Sequence, residues 1–599
     1  MKVEKSFFKR VIYFFKPFWK YFIITTVILI IVQIFSAFSP YLFGKGVDAV
    51  IHHNVRLTFI FLGISFLLTV IQSQILWHLK EYVDIKYLDD NIDQALSSIS
   101  LKKMLEFSIG QHTNEHSGVK QTIVNKGQNS LINMFNDIFY NMLQAVLQIL
   151  VTLVILACFD WRIAGTALAF VLMYVLVSLR RNKKIFPVVG EIRKKNQGQS
   201  KLQSELYRNA TLVIAEGQEE KTFNDFDTAY TQVTNFTKKT WLDYLKFFYG
   251  HKYIITIGQY ATLSIGVYLI LIGDHSTGMF VTFFSWTSSI FANLVMIMNY
   301  QRRMLFQIVE IKKYFDLLDI APDINPNIGG KKIENFAGKI EFKNVNFAYP
   351  YRKSAKEEEE EVEVDKEEES TLENINFVIP AGAKIGFVGV SGSGKSTIVN
   401  LMRRYYEVIK GEILIDDVSI KDLDLHWLRS QIGNVEQKID LFDRSIRDNI
   451  LFGLPMGVEV DEERLVKAVS DASLDDFVAK LKDHGLDTMI GEGGIKVSGG
   501  ERQRIGIARA LIKEPKVLIF DEATSALDSI NEKLIHESIN KSAKGRTTVI
   551  IAHRLSTVMD ADIIFVVAKG EIVDSGTHVE LEKRCDEYQK LIKNQILMQ

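Results

Sequence analysis

The sequence predicts an all-α membrane bundle of six helices, followed by an α/β domain built around a phosphate-binding loop. Three observations carry this prediction. Six long apolar runs fall within the first 301 residues, a Gly-rich loop ending in Lys-Ser-Thr closes at Thr397, and an apolar stretch ends in paired acids at Asp521 and Glu522.

The apolar runs are 21–44, 57–79, 138–159, 163–179, 253–273 and 275–301, and none contains Asp, Glu, Lys or Arg. A hydrocarbon core of about 30 Å needs about 20 such residues per helix. The run 163–179 is short, but Arg162 on one side and Arg180 and Arg181 on the other extend it by snorkelling. One such run could be a buried helix of a soluble protein; six in succession read as spans. The first run is too long for a cleaved signal peptide and lacks a small-residue cleavage site. With only 9 prolines in 599 residues, long helices meet few breakers.

Charge orients the bundle. Lys2, Lys5, Lys9, Arg10, Lys16 and Lys20 precede the first run, which favours a cytoplasmic start. The stretches after the second and fourth runs are then cytoplasmic and are also rich in cations, while the outer loops are short. These inner stretches, about 80–137 and 180–252, read as helical extensions of the spans. At 1.5 Å per residue, some 25 residues reach about 37 Å beyond the membrane. Their turns are expected near 108–115 and 215–222, as candidates for contact with whatever follows residue 320. The protein is thus placed at the cell membrane, with N-terminus and second domain cytoplasmic. The boundaries read as 1–320 for the membrane domain, 321–338 for a linker and 339–599 for the second domain.

Within the bundle, Asn133, Asp137, Asn141, Gln144 and Gln148 share one helical face. They either line a polar pathway or hydrogen-bond between helices. Asn293, Met296, Met298 and Asn299 in the last run either face a substrate or pack in the core. Composition sets wider limits. Lys plus Arg number 71 and Asp plus Glu 72, so a basic nucleic-acid binder is excluded as the default, and two cysteines, Cys158 and Cys585, cannot build a disulfide framework.

In the second half, 384–388 reads as a strand running into Gly389-Val390-Ser391-Gly392-Ser393-Gly394-Lys395-Ser396-Thr397 and then a helix. This is the strand–loop–helix setting that a phosphate loop requires. Glycines let backbone N–H groups close around phosphate oxygens, and the helix N-terminus adds positive potential. Ser391, Gly392, Gly394, Lys395, Ser396 and Thr397 are the candidate nucleotide contacts, with Lys395 on the terminal phosphates and Ser396 on Mg²⁺. A second strand, 516–520, delivers Asp521 as a water-mediated Mg²⁺ ligand and Glu522 to polarise the attacking water.

Val497-Ser498-Gly499-Gly500-Glu501-Arg502-Gln503-Arg504 resembles the signature motif of ATP-binding cassette (ABC) proteins. Around it, Tyr349 resembles the adenine-stacking aromatic, Gln437 the Q-loop glutamine, and Ser525-Ala526-Leu527-Asp528 the D-loop. His553 resembles the switch histidine, and Thr488 through Gly494 the X-loop of exporters. The resemblance covers nearly the whole chain and implies a half-size ABC exporter whose second domain is a P-loop NTPase (ABC cassette). It implies ATP and Mg²⁺ as cofactors, with Gln437 joining Ser396 and Asp521 on the metal. Lys395, Gln437, Glu522 and His553 then have catalytic roles, and Ser498, Gly499, Gly500 and Asp528 act at a site shared with a second half-transporter. Two ATP molecules would join the cassettes and hydrolysis would release them, driving export or flipping of an amphipathic, lipid, peptide or small-molecule substrate by alternating access.

Two departures stand out. Val497 and Glu501 replace the usual Leu and Gln, which is either tolerated variation in a homodimer or the mark of a heterodimer with one weakened site. An insertion at 354–370 holds ten carboxylates between residues 357 and 369, with a net charge of −9, leaving +8 on the rest of the chain. Such a block repels itself and reads as a disordered loop. A non-transport protein gated by ATP is the competing reading, disfavoured by the intact Lys395, Asp521, Glu522 and His553. An importer subunit is disfavoured by the fused domains and long inner stretches.

Overall fold

The computed structural model describes residues 2–114, 117–326, 328–350, 370–455, 457–458, 461–481, 484–521, 529–552 and 554–596. They divide into two compact units: Met1–Leu105 with Ser117–Ile320, and Glu106–His116 with Ala321–Gln599.

In the first unit six helices are long and apolar enough to cross a membrane: Lys9–Ile51, Val55–Glu106, Lys120–Phe159, Trp161–Ile185, Tyr249–Leu271 and Met279–Asp319. Each contains one of the six apolar runs or nearly all of it. The fourth and fifth are parts of longer helices, Trp161–Arg208 with 48 residues and Glu219–Leu271 with 53. At 1.5 Å per residue these are about 70–80 Å long, more than twice a bilayer core. Between them the chain turns at Gly217 (φ 62°), which accepts the left-handed conformation without a Cβ penalty. The next helix opens with Glu219 and Glu220, acids placed where a helix dipole favours them.

Side chains fix how the helices meet. Phe283, Trp286, Ile290, Phe291 and Leu294 form one buried stripe of the sixth span, packed with Leu156, Ala167 and Tyr174. Trp286 Nε1 donates to the Ala37 carbonyl at 2.7 Å, in the turn before Pro40. At one end of this contact the first and sixth spans touch backbone to backbone: a Cβ on Gly278 would lie 2.1 Å from the Gly44 carbonyl oxygen. Asp48 locks that approach, accepting from Ser276 Oγ at 2.5 Å and from the Gly278 amide at 2.6 Å. Nearby, Asp160 caps the fourth helix through the Arg162 amide at 2.8 Å, and Arg162 also pairs with Asp274 at 2.9 Å. Arg162 is therefore tied down by two carboxylates as well as placed at a span end.

The polar stripe divides. Asp137 is buried and accepts from Arg303 Nη2 at 2.7 Å and Gln307 Nε2 at 3.0 Å, joining the third span to the sixth. Gln148 bonds Thr152 within its own helix, and Asn141 bonds the Asn136 carbonyl. Asp137 thus bonds between helices, whereas Asn141 and Gln148 bond within their own helix. Asp137 also opens a π-helical turn, Asp137–Met142, one of three among the described residues of this unit, with Ile71–Leu76 and Ile85–Asp89. Met298 is buried in the core and Met296 is exposed.

The second unit carries two sheets. Strands β1 (Ile340–Phe347), β2 (Leu372–Ile379), β4 (Lys410–Ile415) and β5 (Val418–Ser419) form an antiparallel sheet in the order β2-β1-β4-β5. Strands β3 (Lys384–Val388), β6 (Ile432–Val435), β7 (Val517–Asp521), β8 (Thr547–Ile551), β9 (Ile563–Ala568) and β10 (Glu571–Gly576) form the other, in the order β10-β9-β3-β8-β7-β6. β9 through β6 are parallel and β10 is antiparallel to β9. The central strands are buried on both faces, as a place between layers requires: Thr547–Ile551 is buried at every position. Residues 106–116 also belong to this unit; Gln111 Nε2 donates to the Ala321 carbonyl at 2.8 Å.

Candidate functional site

The parallel sheet brings the sequence motifs to one edge. Phe387, Ile551 and Asp521 lie in register across β3, β8 and β7, and Val435 of β6 is paired with Phe520. Gly389 follows two residues after Phe387, Asp521 ends β7, and Gln437 follows two residues after Val435. All emerge at the carboxyl ends of parallel strands, where open α/β sheets bind ligands. His553, Glu522 and Ser525 through Asp528 lie outside the described residues; the strands leading to the first two end on this same edge.

The loop between β3 and the helix Lys395–Met402 is shaped by glycine. Gly389 has φ 155°, and a Cβ there would lie 2.1 Å from the Val567 carbonyl oxygen. Gly394 has φ 107° and stands against Leu372, where a Cβ would approach to 2.6 Å. Any larger residue would have to displace backbone at the first and a core leucine at the second. Lys395 is buried, and its ammonium donates to the carbonyls of Gly389 at 2.8 Å and Val390 at 3.0 Å, which holds it over the loop. Ser391, Gly392 and Ser396 are exposed, while Thr397 is buried and its hydroxyl meets Tyr349 OH at 3.0 Å. Gly394, the N-cap of this helix, offers no side-chain cap, so the first N–H groups face the loop. Ser393 Oγ is buried with no hydrogen-bond partner among the described residues. A glycine-walled cradle with a buried ammonium and an orphaned hydroxyl fits a nucleoside triphosphate. The oxygens of Ser396, Asp521 and Gln437 are hard donors of the kind Mg²⁺ takes.

The signature segment is built differently. Ser498 caps the helix Gly499–Leu511: its Oγ accepts from the Glu501 amide at 3.3 Å, and Glu501 Oε2 accepts from the Ser498 amide at 2.8 Å. This reciprocal capping box gives position 501 a structural role that either Glu or Gln can fill. Val497 is buried in the core cluster of the second unit. Ser498 and Gly499 are exposed and Gly500 is buried.

Two family models match the chain: an ABC transporter transmembrane region over residues 22–294 and an ABC transporter domain over residues 372–525. ABC transporter B family member 6 of Dictyostelium discoideum is 30% identical over 551 residues, covering 89% of this chain and 78% of that protein. The chain belongs to the ABC transporter family. Its single membrane region and single cassette are the organisation of a half-size ABC exporter. Multidrug resistance protein 4 of Entamoeba histolytica is 45% identical over 271 residues, which is 45% of this chain but only 20% of that protein. The chain therefore spans a small part of that relative. A bacterial Atm1-family ABC exporter with ATP bound has the same fold, with a TM-score of 0.82 at 24% identity over 96% of this chain and 98% of the other. This ABC transporter is accordingly a membrane protein whose cassette binds ATP.

Three groups at the cassette site escaped the sequence reading. The Glu501 capping box was legible as Ser-x-x-Glu before an apolar helix, the usual signal for an N-terminus. Arg403 was not: buried beyond the phosphate-loop helix, it lies 3.8 Å above the Tyr405 ring and pairs with Glu436 at 2.9 Å. Burial pulls its guanidinium down to about 10, against the opposing pull of Glu436. The Glu436 carbonyl accepts from Gln503 Nε2 at 3.1 Å, so the residue before Gln437 is tied to both the phosphate-loop helix and the signature helix. Tyr406, packed against Tyr349, is the third.

Proposed function

We propose that this ABC exporter couples ATP hydrolysis to outward movement of an amphipathic substrate across the cytoplasmic membrane by alternating access. The observation that carries the proposal is the glycine cradle of 389–397, placed on the same sheet edge as Asp521 and Gln437. Backbone N–H groups of the loop and Lys395 bind the phosphates, Tyr349 stacks on the base, and Ser391, Gly392, Gly394 and Thr397 complete the near wall. Ser396, Asp521 and Gln437 hold Mg²⁺, which neutralises charge on the phosphate oxygens when bound. Glu522 orients the attacking water as general base, and His553 contacts the phosphate being cleaved. In a two-fold dimer, Ser498, Gly499, Gly500 and Asp528 of each copy close the site of the other. The closed dimer binds ATP better than the open one, so ATP shifts the population and hydrolysis reverses it.

The pairing in this reading is a homodimer: with Glu501 in place of the usual Gln the signature helix keeps its capping box, so the departure leaves this terminus intact. The N-terminus and cassette are cytoplasmic in this reading. ATPase activity of the purified protein in nanodiscs, with a panel of amphiphiles, tests it: stimulation by at least one class supports export. Turnover that no panel member alters, together with ATP-gated ion conductance, would replace transport by gating. Co-purification with a different half-transporter would replace the homodimer.

A further inference from the structure

Tyr349 lies two residues past the end of β1 in an aromatic cluster. Its ring meets Tyr406 edge-on, with centroids 5.0 Å apart and planes at 90°, and meets Phe347 at 4.9 Å and 82°. Phe347 in turn contacts Tyr406 at 5.5 Å. Edge-to-face pairs of this kind are worth about 0.5–1.5 kcal/mol beyond the area they bury, and they fix the orientation of both rings. The Tyr349 hydroxyl is held separately by Thr397, at 3.0 Å. Three contacts thus define where the face of Tyr349 points, and Tyr406 supplies one of them.

Tyr406 has a third neighbour. In the short helix Ile109–Asn114, Gly110 lies so close to the Tyr406 ring that a Cβ there would fall 2.7 Å from Cε1 and 3.0 Å from Cδ1. Gly110 has an ordinary backbone conformation, so it is required here by space and not by φ. Tyr406 also lines a cavity of about 270 Å³ with Leu401, Val408 and Ile413, which gives a displaced ring room to move. A single methyl at position 110 is therefore expected to shift Tyr406 without unfolding its surroundings.

We infer that Tyr406 is a positioning residue for nucleotide binding: seated against Gly110, it orients Tyr349 toward the base, so that the helix Ile109–Asn114 and the base site share one ring. The inference rests on the reading of Tyr349 as the base-stacking aromatic. Because the base and the phosphates are held by different groups, it makes a demand that general destabilisation does not meet. Disturbing Tyr406 weakens a ligand that has a base and spares one that has only phosphates.

The test measures binding of ATP and of inorganic tripolyphosphate to the full-length protein in nanodiscs. Tyr349→Ala, Gly110→Ala and Tyr406→Leu are each expected to weaken ATP about fivefold and leave tripolyphosphate unchanged. Tyr406→Phe, which keeps the ring, recovers most of the loss seen in Tyr406→Leu. Gly110→Ala combined with Tyr349→Ala is no weaker than Tyr349→Ala alone, since both act through one contact. Additive losses in the double variant, or an equal loss for tripolyphosphate, overturn the role of Tyr406 while leaving Tyr349 in place. Unchanged ATP affinity in Tyr349→Ala overturns the base-stacking reading and this inference with it.

Discussion

The cassette presents two helix N-termini suited to phosphate, and they are finished in opposite ways. The helix Lys395–Met402 begins at a glycine with no side-chain cap, inside a cradle whose walls are backbone and whose ammonium is buried. The helix Gly499–Leu511 begins at an exposed serine whose capping box occupies two amides with its own side chains. The first is a site in itself, because its donors converge on one enclosed point. The second is a satisfied surface, stable without a ligand, and it becomes a site only when another surface brings phosphate to it. In the proposed dimer this asymmetry would be the physical content of a shared ATP site, with one half holding the nucleotide and the other reading it.

The contrast can be broken most severely at the enclosed half. Lys395→Ala is expected to lower ATP turnover by about 100-fold or more, since a preorganised donor to the transferred phosphate is lost. Wild-type turnover in that variant would remove the loop from the mechanism. Glu522→Gln should cost a comparable factor in turnover while ATP binding persists, because a general base acts on the water and not on the nucleotide; binding and single-turnover measurements separate the two effects. Gly389→Ala comes next. The added methyl meets the Val567 carbonyl, so nucleotide binding should fall and the melting temperature with it, by an amount reflecting about 1–3 kcal/mol of backbone strain.

The exposed half should tolerate more. Ser498→Ala removes the cap and weakens the helix by about 1 kcal/mol. Its larger signature is predicted in turnover at saturating ATP, with nucleotide affinity of the separated chains unchanged. Glu501→Gln preserves the capping box geometry and deletes the charge, so turnover is expected to stay within about twofold. A large gain in that variant would mean that the acid repels the incoming phosphate, and would revive a weakened site and a heterodimer.

Much of this was legible in the linear sequence because the signals are local. Six charge-free runs announced six spans, since a bilayer sets a length that sequence can meet or miss. The loop 389–397 was legible because its glycines, lysine and hydroxyls are consecutive and lie between a strand and a helix. The Arg162 anchor was visible as a charge at a span end, but its pairing with Asp274 was not, because Asp274 comes from a distant loop. Asp137 looked like a member of a polar stripe with two meanings. The arrival of Arg303 and Gln307 from another helix decided it. The three π-turns left no pattern in composition that would separate them from ordinary helix.

The sequence by itself determined the order of parts: membrane helices first, then a cassette whose motifs appear in sequence with readable chemistry. It could do so because apolar length, glycine spacing and strand–loop–helix order are properties of neighbours along the chain. Tertiary structure alone decided which distant residues share a role. It placed Gly110 under Tyr406 and Tyr406 against Tyr349, and it tied the residue before Gln437 to Arg403 and Gln503. Those contacts depend on ångström-scale packing between segments far apart in the chain, and no periodicity records which ring will meet which glycine.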